Sequence, residues 1–588
     1  MTLAVALYVP TLHHDKLLDD TSYVFENPLL ETGKSFLYPI ELTGFIRDAH
    51  QRGLQGDLAV NFILRPVGYA TFFWNRIMHG QETAGYRIVN IAIHAVNALL
   101  LWLLASRLLA AQGLPGRWGA SVAALLFAVH PVMTESVTYI AQRFESLATL
   151  FVLATTLMWI TQRQASSAGR PPLYAVILSF GSVCFLLLAM LTKETGVVTP
   201  VLLILAAWLV LGNSPLKAVL SASGPLCCLP LVPALLAATT FIHHGDIFPS
   251  TVLNMTNHPS APLTPLEYAV SELPVWAAYL GVLFWPVHLR FDPLVAPLVS
   301  IWEPQLWTAV LVCGGLVGGG WIAWRRRRNT GGGLVFFGIL WFFISLLPSS
   351  SIVPLPDLYA EHRTYLPSVG LFLALAVMVE WCWQALRSPY SRWLLAGAVT
   401  ACVGILSVAT VQRNEQLRDE VALYRQIVAE NPDHSRAWLV LSSALVHRSD
   451  KEGGLECLEK ALECPHPSAR VFINLGILLL NQNQVTRAHE ITQQGLQRFP
   501  EDPKLLHNAG VAHYLADRTS EAEKCLLRTL ELAPSHWPTA LPLAHVYCRT
   551  QRPLDALHLL EQLARMQPLP AQEADLLAKL RRQHPGSS

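Results

Sequence analysis

Apolar runs separated by charged loops occupy most of the first 411 residues. After a run at 3–12 and a polar stretch at 13–85, they lie at 86–110, 119–136, 145–162, 173–192, 195–211, 217–242, 274–290, 306–324, 334–348, 365–384 and 392–411. Most approach the roughly 20 residues with which an α-helix crosses a bilayer. The pattern predicts a multi-pass membrane bundle over 86–412. Because the first run is only about half that length, we expect Met1 to fall inside a truncated first transmembrane helix (1–12); a partly inserted interfacial helix is the alternative.

Loop charges predict the orientation of the bundle, because cytoplasmic loops collect Lys and Arg. The basic loops contain Arg107, Arg117, Arg163, Arg170, the run 325–328, Arg387 and Arg392. If these loops lie inside, an odd number of crossings separates 13–85 from 325–328, yet eight apolar runs lie between them. The run 274–290 is the best candidate for a segment that does not span, since Pro274 and Pro286 interrupt it. About eleven crossings then place the 13–85 loop and everything after Val411 on the outer face.

A 34-residue period is visible beyond residue 413, where the sequence becomes charged and rich in Gln. Pro500, Pro534 and Pro568 are 34 residues apart, and small residues recur at Gly454, Ala488, Ala522 and Ala556. This pattern resembles the tetratricopeptide repeat, in which small residues let paired helices approach and stacked units bury a continuous core. The predicted repeats are 435–468, 469–502, 503–536 and 537–570, within a domain at 413–588. A generic amphipathic helical bundle is the alternative.

These patterns together predict an all-α protein, with a polytopic membrane bundle followed by an extracytoplasmic tetratricopeptide α-solenoid. Composition agrees, since 52% of the residues are hydrophobic, 14% are charged and the mean hydropathy is +0.37. The net charge of +1 and the lack of a basic tract in the polar regions exclude a nucleic-acid partner. The ten cysteines show no paired CxxC spacing, so they are most simply packing residues.

Titratable residues collect at the ends of apolar runs on the predicted outer face. They come from the 13–85 loop and from three further hairpins, and they are Asp19, Asp20, His130, Glu135, Arg143, Glu145, Lys193, Glu194, Glu361, His362 and Arg363. The inner loops carry mainly Arg and Lys. This asymmetry predicts a site for an anionic, membrane-anchored substrate. A single group of this kind is more often a helix cap or a contact to lipid headgroups, so the prediction depends on the joint pattern.

Sugar transfer from a polyprenyl phosphate requires chemical groups of these types. The donor tail lies in the bilayer, so no nucleotide domain is needed, and no GxGxxG follows a predicted strand. A carboxylate must take the proton of the attacking hydroxyl, and Asp19 or Asp20 fits that role. A fixed cation must stabilise the departing phosphate, and the candidates are Arg143, Arg363 and Lys193.

The order of short motifs along the chain resembles one family. The motifs are Asp19-Asp20 with Asn27-Pro28; Arg65-Pro66; Val89-Asn90 with His94 and Asn97; His130-Pro131 with Glu135 and Arg143; Lys193-Glu194; and Glu361 with Arg363 and Tyr365-Leu366-Pro367-Ser368. Followed by the repeats, they resemble the transmembrane and tetratricopeptide repeat-containing O-mannosyltransferases and their bacterial relatives. The resemblance covers nearly the whole chain.

That resemblance implies a GT-C glycosyltransferase fold, a catalytic loop at 13–85, a polyprenyl-phosphate donor carrying mannose or a similar hexose, and inversion at the anomeric carbon. It implies Asp19 as the base, Asp20 as its neighbour in substrate or metal binding, and Arg143 as a phosphate ligand. The supporting residues are Arg65, His130, Glu135, Glu194, Glu361 and Tyr365. The acceptor would be Ser or Thr of extracytoplasmic proteins, with the repeats binding an acceptor or partner protein.

Other interpretations stay open at this point. An oligosaccharide ligase or polymerase would carry its dominant charged loop late in the bundle, whereas here that loop comes first. A non-catalytic scaffold anchored in the membrane needs fewer helices, and transporter charges lie nearer mid-membrane. His13, His14 and Asp15 could join Asp19 and Asp20 around a divalent cation, but no spacing identifies one, and a solvated polar loop is the commoner explanation of such residues.

The predicted location is the bacterial inner membrane, or the endoplasmic reticulum membrane in a eukaryote, with the repeats on the periplasmic or lumenal side. Asn254-Met255-Thr256 is an N-glycosylation acceptor sequence in a predicted outer loop.

Overall fold

A computed structural model describes residues 1–31, 56–231, 263–351, 354–355, 357–533, 536–566, 569 and 571–584. All regular elements in these ranges are helical, which confirms the predicted all-α class. The chain divides into two compact units, with the described residues up to Leu423 in the first and those from Tyr424 onward in the second. The sequon at Asn254, the repeat residues Pro534 and Pro568, and much of the run 217–242 lie outside the described residues.

The first unit consists of helices of very different length. Within the described residues its α-helices are α1 Thr2–Tyr8, α2 Gly56–Leu64, α3 Pro66–His79, α4 Thr83–Ala111, α5 Arg117–Val129, α6 Thr134–Thr138, α7 Arg143–Ser167, α8 Pro172–Met190, α9 Thr199–Leu205, α10 Pro215–Ser221, α11 Ser223–Leu226, α12 Pro265–Phe284, α13 Pro304–Arg326, α14 Gly333–Leu346, α15 Tyr365–Ala385 and α16 Pro389–Gln416. A helix Glu420–Glu430, α17, follows them.

Seven helical segments in the described part of the chain are long and apolar enough to cross a membrane, and the chain is a membrane protein. They are Thr83–Ala111, Ile140–Ser167, Pro172–Met190, Pro304–Arg326, Arg328–Leu346, Glu361–Ala385 and Pro389–Gln416. The bent pair Arg117–Val129 and Pro131–Thr138 makes an eighth if it counts as one span. The expected eleven crossings are therefore not confirmed. The segments Thr2–His13 and Glu194–Val210 are apolar but shorter.

The bend of 52° in that pair has a local cause at His130 and Pro131. Pro131 has no N–H to continue the hydrogen bonding of α5, and the chain leaves the helix at His130, whose backbone is extended. The His130 side chain then accepts a hydrogen bond from the Val132 N–H at 3.3 Å. This cap restarts the helix and carries Glu135 toward the start of α15, where it contacts His362.

The contact between α14 and α15 depends on two facing glycines. A Cβ built on Gly338 would overlap Gly370 O, and a Cβ built on Gly370 would overlap Gly338 O. Trp341 fills the adjacent space and donates its Nε1–H to Leu366 O at 3.0 Å. Small residues let membrane helices approach this closely, and van der Waals packing then stabilises the pair.

The second unit repeats a helix–turn–helix arrangement. Its further helices are α18 Ser435–His447, α19 Lys451–Glu463, α20 Ala469–Asn481, α21 Val485–Arg498, α22 Pro503–Leu515, α23 Thr519–Leu532, α24 Ala540–Arg549, α25 Pro553–Met566 and α26 Ala571–Gln583. Two helices fall in each predicted repeat, and Ala488, Ala522 and Ala556 are fully buried. Residues with positive φ recur between the paired helices every 34 positions, at Ser449, Asn483, Asp517 and Gln551. The period is therefore present in the backbone conformation as well as in the sequence.

Adding a methyl group at the α14–α15 contact should destabilise the bundle. Gly338→Ala should lower the free energy of unfolding in detergent by about 1–3 kcal/mol, because the Cβ must displace the α15 backbone. Gly314→Ala is the matched control, since no atom lies within 4 Å of a Cβ built there. The control should be neutral or slightly stabilising, because alanine favours a helix. Equal thermal denaturation of the two variants would contradict this packing.

Candidate functional site

The backbone before Asp19 is fixed from inside the bundle by a buried arginine. Arg87, on α4, is 0% exposed and donates to the carbonyl oxygens of Thr138, His14 and Asp15. A buried guanidinium needs such acceptors, because an unpaired charge is costly away from water. Arg87 thus ties the start of the loop to α4 and to the end of α6.

Asp20 is fully buried and acts as an internal acceptor. Its Oδ2 accepts the Leu17 N–H at 3.0 Å, and its Oδ1 accepts the Ala141 N–H at 2.7 Å. Burial raises the pKa of Asp20 from 3.8 to about 7, against the opposing effects of these hydrogen bonds and of the Arg87 charge. The carboxylate joins the loop to the turn that begins the α7 span.

Asp19 is partly exposed and is oriented by a tyrosine. The Tyr139 hydroxyl donates to Asp19 Oδ2 at 3.0 Å and accepts the Asp19 N–H at 3.0 Å. Just before it, Leu18 has φ of 38°, a conformation that costs a residue with a Cβ about 1–3 kcal/mol. The Leu18 N–H donates to Glu420 Oε1 at 2.8 Å, which helps to hold that strained conformation.

Arg143 is fully buried and donates to internal acceptors. Its Nε donates to Asn90 Oδ1 at 2.7 Å and its Nη2 to Tyr86 O at 2.8 Å. Its guanidinium carbon lies 4.4 Å from the centre of the Phe72 ring. In this arrangement Arg143 clamps α3, α4 and α7 together rather than presenting its charge at a surface.

Two ion pairs lie side by side near the start of α7. Lys193 Nζ is 2.5 Å from Glu145 Oε2, and both side chains are buried. The neighbouring Glu194 accepts two hydrogen bonds from Arg65, at 3.2 Å from Nε and at 3.0 Å from Nη2. The first pair is enclosed, whereas the second is accessible from solvent.

A second group of charges gathers before α15. Glu135 accepts from His362 Nδ1 at 2.7 Å and from the His362 N–H at 3.1 Å. Glu361 accepts from Arg413 Nη2 at 3.0 Å and from the Arg290 N–H. These contacts tie the Glu361 turn to α6 and α16.

Arg363, Tyr365 and His130 are held mainly by polar groups of the bundle interior. Arg363 donates to the carbonyl oxygens of Leu358 and Asp357, at 3.2 and 2.7 Å. The Tyr365 hydroxyl bonds His94 Nδ1 at 2.7 Å and accepts from Asn97 at 3.1 Å, which explains the His94 and Asn97 motif. His130 Nε2 bonds Leu283 O at 3.0 Å, linking α5 to α12.

The structure therefore brings most of the predicted residues together around the first turns of α7. Asp20 binds there through Ala141, Glu145 pairs with Lys193, and the Arg65 guanidinium lies 5.4 Å from the centre of the Phe144 ring. Glu135, Glu361 and Arg363 form the second group, before α15, and the charges of Lys193 and Glu145 act on His362 within it.

Sequence reasoning missed three residues that hold the site. Arg87 and Tyr139 fix the acidic loop, and Arg413 holds Glu361. In the sequence, each of these three is a polar residue at the edge of an apolar run, as Arg143 is. Such a position does not identify a partner, because the partners are distant in the sequence.

The described residues show no group of three or more His, Cys, Asp or Glu side chains arranged for a metal ion. His14, one of the predicted candidates, is buried, and desolvation together with the Arg87 charge lowers its pKa to about 4. The possible divalent cation therefore has no ligand set in this part of the chain.

The raised pKa of Asp20 gives stability a defined pH dependence. Because the folded state holds the Asp20 proton more tightly than the unfolded chain does, its contribution is fully present at low pH and is lost as pH rises from 3.8 to about 7. Asp20→Asn should remove this slope, of at most about 1.4 kcal/mol per pH unit. It should also cost about 1–3 kcal/mol at low pH, since one amide oxygen cannot accept both N–H groups. If the free energies of unfolding of wild type and variant changed in parallel with pH across this range, the assignment would be contradicted.

The buried Lys193–Glu145 pair predicts a non-additive effect. Lys193→Met should lower the free energy of unfolding by about 3–5 kcal/mol, because it leaves Glu145 buried without its cation. The double variant with Glu145→Leu should recover most of this loss. Lys460→Met, in the exposed pair with Glu456, is the control and should change stability by about 0.5 kcal/mol or less. A double variant no more stable than Lys193→Met would refute the pairing.

The repeat region, and most of the chain as a whole, are similar to known proteins. Residues 473–536 match the family Tetratricopeptide repeat. The chain is 26% identical over 452 residues to a protein O-mannosyl-transferase of Caenorhabditis elegans, covering 76% of this chain and 59% of that protein. It is 25% identical over 589 residues to the protein O-mannosyl-transferase Tmtc3 of Drosophila melanogaster, covering 88% and 59%.

A human relative gives a similar match. The protein O-mannosyl-transferase TMTC1 of Homo sapiens is 25% identical over 511 residues, covering 80% of this chain and 55% of that protein. The chain thus spans between 55% and 59% of the length of these three relatives. Over most of its own length it is similar to named protein O-mannosyl-transferases, which confirms the resemblance predicted from the ordered motifs.

Proposed function

We propose that this chain is an integral-membrane glycosyltransferase. It transfers mannose or a similar hexose from a polyprenyl-phosphate donor to Ser or Thr hydroxyls of extracytoplasmic proteins, with inversion. The observation that carries the proposal is Asp19, a partly exposed residue whose carboxylate is oriented by Tyr139, next to the buried Asp20 that binds the start of α7. The names of the similar proteins support protein O-mannosyl transfer.

Asp19 is the proposed general base. It takes the proton of the acceptor hydroxyl while the hydroxyl oxygen forms a bond to the anomeric carbon. The bond from that carbon to the phosphate oxygen breaks, and its electron pair leaves with the polyprenyl phosphate. A single displacement from the opposite face inverts the anomeric configuration. Asp20 is less suited to this role, because both of its oxygens already accept buried backbone N–H groups.

The departing phosphate needs positive charge nearby. Arg143, Lys193 and Arg363 are the proposed cations, and all three lie at or near the ends of the apolar helices that supply the site. Each of these side chains already binds groups inside the protein. We therefore propose that they stabilise the phosphate through their positive charge and not through direct hydrogen bonds. Such charges act strongly in a site that excludes water.

The proposed topology places the Asp19 loop and the repeats on the outer face of the membrane. Supporting residues are those that hold the loops, namely Arg65, His130, Glu135, Glu194, Glu361 and Tyr365. The tetratricopeptide repeats are the proposed surface for the acceptor or for a partner protein, since stacked repeats form extended binding surfaces.

Transfer of labelled mannose from a polyprenyl-phosphate donor to a Ser/Thr peptide tests this proposal. With purified protein in lipid nanodiscs, Asp19→Asn should lower the turnover number about a hundred- to ten-thousand-fold, because the base is lost. Glu26→Gln, which changes an exposed carboxylate of the same loop, is the matched control and should retain wild-type turnover. Undiminished transfer by folded Asp19→Asn would overturn the catalytic assignment.

A further inference from the structure

We infer that the Arg65 side chain is the docking group for the donor phosphate and that the Glu194 carboxylate exchanges with this phosphate on the same guanidinium. The inference deepens the proposed function and rests on it. It concerns a residue pair that the sequence suggested only as support, and it assigns direct phosphate contact to a cation other than Arg143, Lys193 and Arg363.

The geometry of the pair is that of a phosphate site. Arg65 presents Nε–H and one Nη2–H to the two oxygens of Glu194, at 3.2 and 3.0 Å. A guanidinium binds carboxylate and phosphate through the same planar fork of two parallel hydrogen bonds. The Glu194 carboxylate therefore occupies the position that two phosphate oxygens would take.

Accessibility distinguishes Arg65 from the other cations proposed for this site. The Arg65 side chain is 19% exposed and its partner Glu194 is 43% exposed. Arg143 is 0% exposed, and the side chains of Lys193 and Arg363 are each 7% exposed. Because a guanidinium binds carboxylate and phosphate through the same fork, the exchange replaces one bidentate contact on Arg65 with another. Displaced Glu194 enters water, which it already contacts.

Arg65 is held beside the acidic loop by the same helix start. Its guanidinium lies 5.4 Å from the centre of the Phe144 ring, three residues after Ala141, whose N–H binds Asp20. Its backbone N–H donates to Asn61 O, and Asn61 also donates to the Tyr23 hydroxyl in the turn after Asp20. A phosphate on Arg65 would therefore lie at the helix start that also holds the loop of the proposed base.

A backbone contact couples the two sides of the pair. The Val67 N–H donates to Leu191 O at 3.1 Å, joining the start of α3 to the turn that carries Lys193 and Glu194. The fork and the competing carboxylate are thus fixed relative to each other by the main chain. Loss of either side chain leaves this connection intact, so variants can report on the anion rather than on the fold.

Equilibrium binding of farnesyl phosphate, a short polyprenyl phosphate, tests the exchange in the full chain in nanodiscs. Arg65→Ala should weaken binding about ten- to a hundred-fold, and Arg65→Lys should weaken it less, because the charge remains and the fork is lost. Glu194→Gln should strengthen binding a few-fold, because it removes the competing anion. If the Glu194 carboxylate and the phosphate exchange on Arg65, the two substitutions change the affinity for farnesyl phosphate in opposite directions.

Arg418→Ala is the matched control, since Arg418 forms an exposed ion pair with Glu415 at 2.8 Å in the same unit. It should bind farnesyl phosphate like the wild type. Weaker binding by Glu194→Gln, or unchanged binding by Arg65→Ala, would overturn the inference. Thermal unfolding of each variant separates loss of fold from loss of binding, and the gain expected in Glu194→Gln cannot arise from misfolding.

Phosphatidic acid distinguishes donor phosphate from an ordinary lipid headgroup. It should compete weakly for the site, and competition equal to that of farnesyl phosphate would contradict a donor-specific site. If farnesyl phosphate bound the wild type and Arg65→Ala equally well, Arg65 would not be the docking group, but the proposed class of donor would stand. No binding by the wild type would refute that donor class as well.

Discussion

The hydrogen bond from the Ala141 N–H to Asp20 is the interaction on which the site depends. It holds a loop that comes early in the chain against the start of a long apolar helix, 121 residues later. The residues that follow Ala141 hold two further charged groups near the loop. Phe144 packs under Arg65, and Glu145 pairs with Lys193. Partners distant in the sequence thus meet at one turn of the backbone.

Burial divides the charged residues into two classes. Those that are enclosed, such as Asp20, Arg87 and Arg143, already bind protein acceptors or donors and hold helices together. Those that reach solvent, Asp19, Arg65 and Glu194, retain the accessibility that chemistry on a bound substrate requires. A membrane protein needs both classes, because an ion within it must be paired or must face water.

Period and residue type were enough to predict much of the fold. The 34-residue spacing of prolines and small residues predicted the tetratricopeptide fold, and the long apolar runs predicted apolar helices in the first unit. The left-handed turn residues at Ser449, Asn483, Asp517 and Gln551 were not predicted, because no glycine marks them. The bend at Pro131 was not predicted either, since the run 119–136 predicts one continuous helix.

The residues of the candidate site could be named from the sequence, but their contacts and burial could not. The order of motifs selected Asp19, Arg143 and Lys193 without showing that Arg143 is fully enclosed. The exposure of Arg143 depends on how α3, α4 and α7 pack against one another, and that packing cannot be read from a single sequence. Tyr139 and Arg87 escaped notice for the same reason, since each acts on a loop more than 70 residues away.

The most direct measurement is a structure of the chain in nanodiscs with a hexose joined to a polyprenyl phosphonate, a donor analogue that cannot be cleaved. We expect the phosphonate oxygens on the Arg65 fork, Glu194 displaced from it, and the anomeric carbon facing the Asp19 carboxylate. A phosphonate bound away from Arg65, with the hexose remote from Asp19 and the start of α7, would contradict the assignment of this site.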